Sequence, residues 1–135
     1  MKAYIIDDDN VSIYLTRHII KTAKFPGEVV SYTLAEEALM AFLKEMATQV
    51  PELIFLDLNM PAMNGWDFLE ALEPYKYILL NRCHIYILTS SLALPDKTKS
   101  KQYNLVKGFI HKPIEPTDVE MILSQLPEQV GVNKS

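Results

Sequence analysis

Four short apolar runs punctuate the chain: Ala3 to Ile6, Leu53 to Leu56, Ile85 to Leu88, and Phe109 with Ile110. None alternates polar with apolar, so each reads as a strand covered on both faces, the environment of a parallel sheet. A weaker run, Val29 to Tyr32, reads as an edge strand. Between the runs the period becomes helical. Ala35, Ala38, Leu39, Phe42, Leu43 and Met46 recur at three- and four-residue spacing, with Thr33 and Glu36 in a capping-box pattern ahead of them. Val11, Tyr14, Leu15, His18 and Ile19 mark a helix after the first strand. Gly65, Phe68, Leu69 and Leu72 mark another, ending near Pro74, and Val119, Ile122, Leu123 and Leu126 a last one. Pro95 to Tyr103 is polar, and only its place in the alternation predicts a helix there. The order is strand then helix, five times over. That alternation predicts an α/β fold, a doubly wound five-stranded parallel sheet with right-handed crossovers and helices on both faces.

Composition narrows the picture. A chain of 135 residues, 49% hydrophobic and 22% charged, makes one ordinary domain and is too short for a two-domain enzyme. Residues 1–126 read as that domain and 127–135 as a short polar C-terminal tail. The 13 Lys and Arg against 17 Asp and Glu give a formal charge of -4, so direct nucleic-acid binding is not expected. The single cysteine, Cys83, cannot form an internal disulfide, and the first residues form a strand in place of a signal-peptide core, which points to a cytoplasmic protein. No apolar run approaches the roughly 20 residues of a membrane span, so no membrane insertion is expected.

Chemistry collects after the apolar runs. Asp7, Asp8 and Asp9 follow the first, Asp57 ends the third, Thr89, Ser90 and Ser91 follow the fourth, and His111 and Lys112 follow the fifth. All strand C-termini of a parallel sheet share one edge, where open α/β sheets bind their ligands, so these groups converge. Crowded carboxylates raise one another's pKa unless a cation offsets them. Oxygen ligands supplemented by water suit Mg²⁺ better than Zn²⁺. Mg²⁺ beside a carboxylate, a hydroxyl and an ammonium suits phosphoryl transfer, which depends on positioning and charge stabilisation. Capping of the first helix accounts for one acid of the triplet, and Asp9 or Asn10 fills that role. Asp7 and Asp8 are left as metal candidates.

The run Asp57-Leu58-Asn59-Met60-Pro61-Ala62-Met63-Asn64-Gly65 resembles the signature loop of response-regulator receiver domains of two-component signalling. Asp7 with Asp8, Thr89, and Lys112 followed by Pro113 fall in that family's order, and the resemblance spans the first 126 residues. It implies a flavodoxin-like sheet of strand order 2-1-3-4-5 in a stand-alone, chemotaxis-regulator-like receiver, a signalling phosphoacceptor and not an enzyme. By the same resemblance Asp57 takes a phosphoryl group from a histidine kinase or histidine phosphotransfer protein. Asp8, Asp57 and the backbone carbonyl of Asn59 ligate Mg²⁺, with Asp7 acting through bound water. Lys112 pairs with the phosphoryl oxygens, Thr89 hydrogen-bonds them, and Phe109 follows Thr89 in a switch. The face formed by the 95–103 helix, the fifth strand and the last helix then meets a downstream protein target. The resemblance also implies a cis Lys112-Pro113 bond, and it places Asn59 and Ser91 where the family tunes phosphoryl lifetime. Tyr75 to Asn81 looks longer than the family's usual connection.

Other residues have blander readings. His18 on the apolar stripe reads as a partly buried structural histidine in preference to a relay histidine. His84 and His111 lack metal-pair spacing, and Cys83 reads as an inert buried thiol. Met40, Met46 and Met121 fit core packing, while Trp66 lies close enough in sequence to the acidic loop to report on it. Lys97, Lys99 and Lys101 read as a solvated helix face, or as a dock for an acidic partner. Two rival functions remain. Asp7-x-Asp9-x-Val11 also resembles the nucleophile motif of haloacid-dehalogenase-like phosphatases, although the acidic pair those enzymes place after a later strand is replaced here by Lys112-Pro113. The other rival is a receiver-shaped interaction module that is never phosphorylated.

Overall fold

A computed structural model describes residues 1–90 and 94–126; Ser91 and the tail of residues 127–135 lie outside the described residues. The elements run β1 (Lys2–Ile6), α1 (Asn10–Thr22), β2 (Glu28–Tyr32), α2 (Ala35–Glu45), β3 (Leu53–Asp57), α3 (Gly65–Leu72), α4 (Lys76–Leu79), β4 (His84–Thr89), α5 (Leu94–Ser100), β5 (Val106–His111) and α6 (Pro116–Gln125). The strands form one parallel sheet in the order β2-β1-β3-β4-β5: the doubly wound sheet predicted by the alternation, in the flavodoxin-like order that the resemblance implies.

Successive side chains on a strand point to opposite faces, and both faces here are apolar. Tyr4, Ile6, Ile54, Leu56, Ile85 and Ile87 pack against Ala38 and Phe42 of α2 and Phe68 and Leu72 of α3. Ala3, Ile5, Phe55 and Leu88 pack on the other face against Ile13 and Ile20 of α1 and Val119 and Ile122 of α6. The unbroken apolar runs follow from this double coverage. The weaker run, β2, lies at the edge and is only partly buried.

Several local expectations need correction. Helix α1 is present, but Ile13, Thr16 and Ile20 face the sheet, while Val11, Tyr14, Leu15 and His18 are exposed. The helix carries apolar residues on two stripes, and in the orientation adopted the Arg17 guanidinium donates to the Val29 carbonyl and to Ser31 Oγ, both at 2.8 Å, tying α1 to β2. Thr33 does not cap α2. The helix starts at Ala35 behind Leu34, which makes no side-chain cap bond, so the hydroxyl lies one residue too early. Met40 and Met121 are exposed and only Met46 of the three packs partly against the core, because the first two fall on the outer faces of their helices. The long 73–83 connection folds into a 3-10 turn, Glu73–Tyr75, followed by α4. Pro74 suits the start of such a turn, since its ring presets the helical φ and its missing N–H is not needed there. Leu79 is fully buried beneath the connection, and Asn81, at a φ of 66°, ends it in the left-handed region that Asn tolerates. The Lys112-Pro113 peptide bond is cis.

Candidate functional site

The strand registers bring the polar groups together. Leu56 pairs with Ile6, Leu88 with Asp57 and His111 with Thr89, so Asp7, Asp57, Thr89 and Lys112 all stand at the C-terminal edge of neighbouring strands. The Asp7 N–H donates to the Tyr32 carbonyl at 3.0 Å and the Lys112 N–H to the Thr89 carbonyl at 2.9 Å, extending the ladders into the site.

The three consecutive acids have three different environments. Asp7 is fully buried. Its Oδ1 accepts from the Asp9 N–H at 3.0 Å, and its Oδ2 accepts from Ser12 Oγ at 2.6 Å and from Lys112 Nζ at 2.8 Å. Asp8 is exposed. Asp9 is the N-cap of α1 and accepts from the Val11 N–H at 2.9 Å.

Asp57 is 6% exposed, and its Oδ1 accepts from the Asn59 N–H at 3.2 Å. Lys112 Nζ lies 3.6 Å from its Oδ2. Burial pushes the Asp57 carboxyl up to about 6; the Asn59 N–H and the Lys112 charge pull it down, and the Asp7 charge reinforces the rise. Burial alone would lower the Lys112 pKa, but the hydrogen bond to Asp7 and the charges of Asp7 and Asp57 outweigh it, so the ammonium stays above its ordinary value. Carboxylate oxygens of Asp7, Asp8 and Asp57 all lie within 4.8 Å of one another. An all-carboxylate donor set with one exposed member fits a small hard cation that keeps part of its water, as Mg²⁺ does.

The loop after Asp57 is shaped by its own sequence. Met60 is buried in the core. Asn64 and Asp67 form a reciprocal capping box, with the Asp67 N–H donating to Asn64 Oδ1 at 2.9 Å and the Asn64 N–H to Asp67 Oδ2 at 3.1 Å. A Cβ on Gly65 would fall 2.7 Å from the Asp57 carbonyl oxygen and 2.9 Å from Leu58 Cα, so only glycine lets α3 start this close to the acid.

Thr89 is buried. Phe109 is partly buried beside Ile87 and shares a groove of about 390 Å³ with Lys97, Lys101, Tyr103 and Lys107. Trp66 packs 5.9 Å from the Tyr103 ring, and Lys99 Nζ sits 4.8 Å above it, so this member of the lysine run is engaged with an aromatic ring. His84 is buried at the opposite edge, its Nδ1 3.1 Å from the Glu52 carbonyl, and burial lowers its pKa. His111 is exposed. Burial pushes the Cys83 thiol up to about 12, in keeping with an inert group. The sequence reading missed Ser12, whose signal was a hydroxyl on the first turn of a helix that follows paired acids. It also missed the Asn-x-x-Asp cap at Asn64.

A family model described as the response regulator receiver domain matches residues 3–124. Hybrid signal transduction histidine kinase C of Dictyostelium discoideum is 26% identical over 137 residues; the match covers 98% of this chain, which spans 11% of that protein's length. Among solved structures, a two-component response regulator from Cytophaga hutchinsonii superposes with a TM-score of 0.85 at 25% identity, covering 93% of this chain and 95% of that one. The Vibrio cholerae chemotaxis protein CheY4 superposes with a TM-score of 0.74 at 24% identity, covering 93% and 98%, a likeness of fold. With the family model matched across nearly the whole sheet and its acidic edge, the chain belongs to the response regulator receiver domains of two-component signalling.

Proposed function

We propose that this chain accepts a phosphoryl group on Asp57 from a phosphohistidine of a kinase or phosphotransfer protein. A carboxylate oxygen of Asp57 forms the new O–P bond while the P–N bond breaks, its electrons returning to the imidazole ring. The observation that carries the reading is the shared ammonium: Lys112 Nζ stands 2.8 Å from Asp7 and 3.6 Å from Asp57, within reach of both the resting acid pair and a group added to Asp57. Asp8, Asp57 and the Asn59 carbonyl would hold Mg²⁺, with Asp7 acting through water. When bound, the ion supplies positive charge against which the phosphoryl oxygens are stabilised. Lys112 supplies the complementary charge, and burial of Asp57 limits the access of competing water. Thr89 would contact the phosphoryl oxygens, and Phe109 would turn inward beside it to alter the groove offered to a downstream target.

The phosphatase alternative is less well supported. It needs Asp7 as nucleophile, yet Asp7 is fully buried with both carboxylate oxygens engaged. Incubation with a small acyl-phosphate donor and Mg²⁺ separates the two readings. A receiver incorporates at most one phosphoryl group per chain and leaves phosphomonoesters untouched. Sustained phosphomonoester turnover would contradict the proposal.

A further inference from the structure

Ser12 sits on the first turn of α1, where a serine ordinarily bonds to nearby backbone. Here its hydroxyl instead reaches back to Asp7 Oδ2 at 2.6 Å, and the Lys112 ammonium touches that same oxygen at 2.8 Å. Two side-chain donors therefore share one oxygen of a fully buried carboxylate. The only other donor to this carboxylate among the described hydrogen bonds is the Asp9 N–H, on Oδ1. If Lys112 turns toward new oxygens on Asp57, Ser12 is what keeps Asp7 Oδ2 from being left buried without a donor, a costly state for a charged group. Ser12 also lines a groove of about 310 Å³ together with Lys112 and Ser90.

We propose that Ser12 is a positioning residue: its hydroxyl fixes the orientation of Asp7 and thereby frees Lys112 to serve the phosphoryl group on Asp57. The inference rests on the proposed phosphoacceptor reading. Without the hydroxyl, Lys112 becomes the sole side-chain donor to Oδ2 and is held back on Asp7, whose carboxylate is then oriented by the Asp9 N–H and Lys112 alone among the described donors.

Threonine and valine are nearly isosteric and differ in the hydroxyl, so Ser12→Thr and Ser12→Val isolate it, with Ser12→Ala as a second hydroxyl-free variant. Two readouts apply: Mg²⁺ titration of the unphosphorylated protein followed by Trp66 fluorescence, and the rate of incorporation from an acyl-phosphate donor at saturating Mg²⁺. In Ser12→Val and Ser12→Ala the half-saturating Mg²⁺ concentration should rise several-fold. The saturated rate should fall roughly tenfold, the worth of one charge-assisted hydrogen bond, with Ser12→Thr close to the parent in both. Parent-like values in the hydroxyl-free variants, or equal losses in Thr and Val, would overturn the role of the hydroxyl while leaving the phosphoacceptor reading intact. A parent protein that neither responds to Mg²⁺ nor incorporates phosphoryl would overturn both.

Discussion

At the scale of single residues, the acidic edge is expensive to maintain. The folded protein holds a proton on Asp57 more tightly than the unfolded chain does, with the carboxyl raised from 3.8 to about 6 mainly by burial. A raised carboxyl pKa means that stability falls as pH climbs from about 4 to about 6, and the loss is complete above that window. Asp57→Asn should therefore be more stable than the parent at pH 7.5, by on the order of 1 to 3 kcal/mol without Mg²⁺. The gain should vanish near pH 4, as urea unfolding at the two pH values would show. The loop beyond Asp57 carries a second cost. Ala62 has a φ of 61°, where an L side chain is strained, so Ala62→Gly should stabilise the fold by about 0.5 to 1 kcal/mol in the same assay. Gly65→Ala should do the opposite, because the atoms it would meet are backbone atoms of Asp57 and Leu58 that cannot swing aside. A loss of about 1 to 3 kcal/mol, together with slower phosphoryl incorporation, is expected.

At the scale of elements, strands were more legible than helix faces. Both faces of the central strands are covered, so an unbroken apolar run points to burial whichever way each side chain turns. Helix α1 is different: period alone cannot choose between the stripe of Ile13, Thr16 and Ile20 and that of Val11, Tyr14 and Leu15, and the buried stripe is the one compatible with tertiary contacts such as the Arg17 tie to β2. The two stripes should separate cleanly in unfolding experiments. Ile20→Ala should cost about 2 to 5 kcal/mol as a core truncation, and Tyr14→Ala, at 69% exposure, should stay within about 0.5 kcal/mol. The α2 cap failed for a related reason, since a capping-box pattern reports compatible residues but not the residue at which tertiary packing starts the helix. In the site, Asp7, Asp57 and Lys112 were legible because strand ends must share an edge. Ser12 was not, because its partner lies across a turn whose geometry depends on the Asp9 cap.

At the scale of the whole molecule, a single parallel sheet carries one chemistry-bearing edge, and the rest of the fold holds that edge in place. Asp57 on β3 and Thr89 on β4 stand at that edge, while Phe109 pairs with Ile87 and lies two residues short of it on β5, so a charge added at β3 lies two strands from the groove beside Phe109. Burying the Phe109 ring would favour the inward state by about 1 to 2 kcal/mol, enough to shift a two-state population roughly tenfold. Structures with and without a beryllofluoride phosphoryl mimic should show Thr89 and Phe109 displaced together. All of this depends on which acid is modified, and peptide mapping by mass spectrometry after treatment with an acyl-phosphate donor and Mg²⁺ tests that most directly. One phosphoryl group is expected on the peptide containing Asp57, and none in Asp57→Asn. A phosphoryl group on the peptide containing Asp7 to Asp9, or undiminished incorporation in Asp57→Asn, would contradict this expectation.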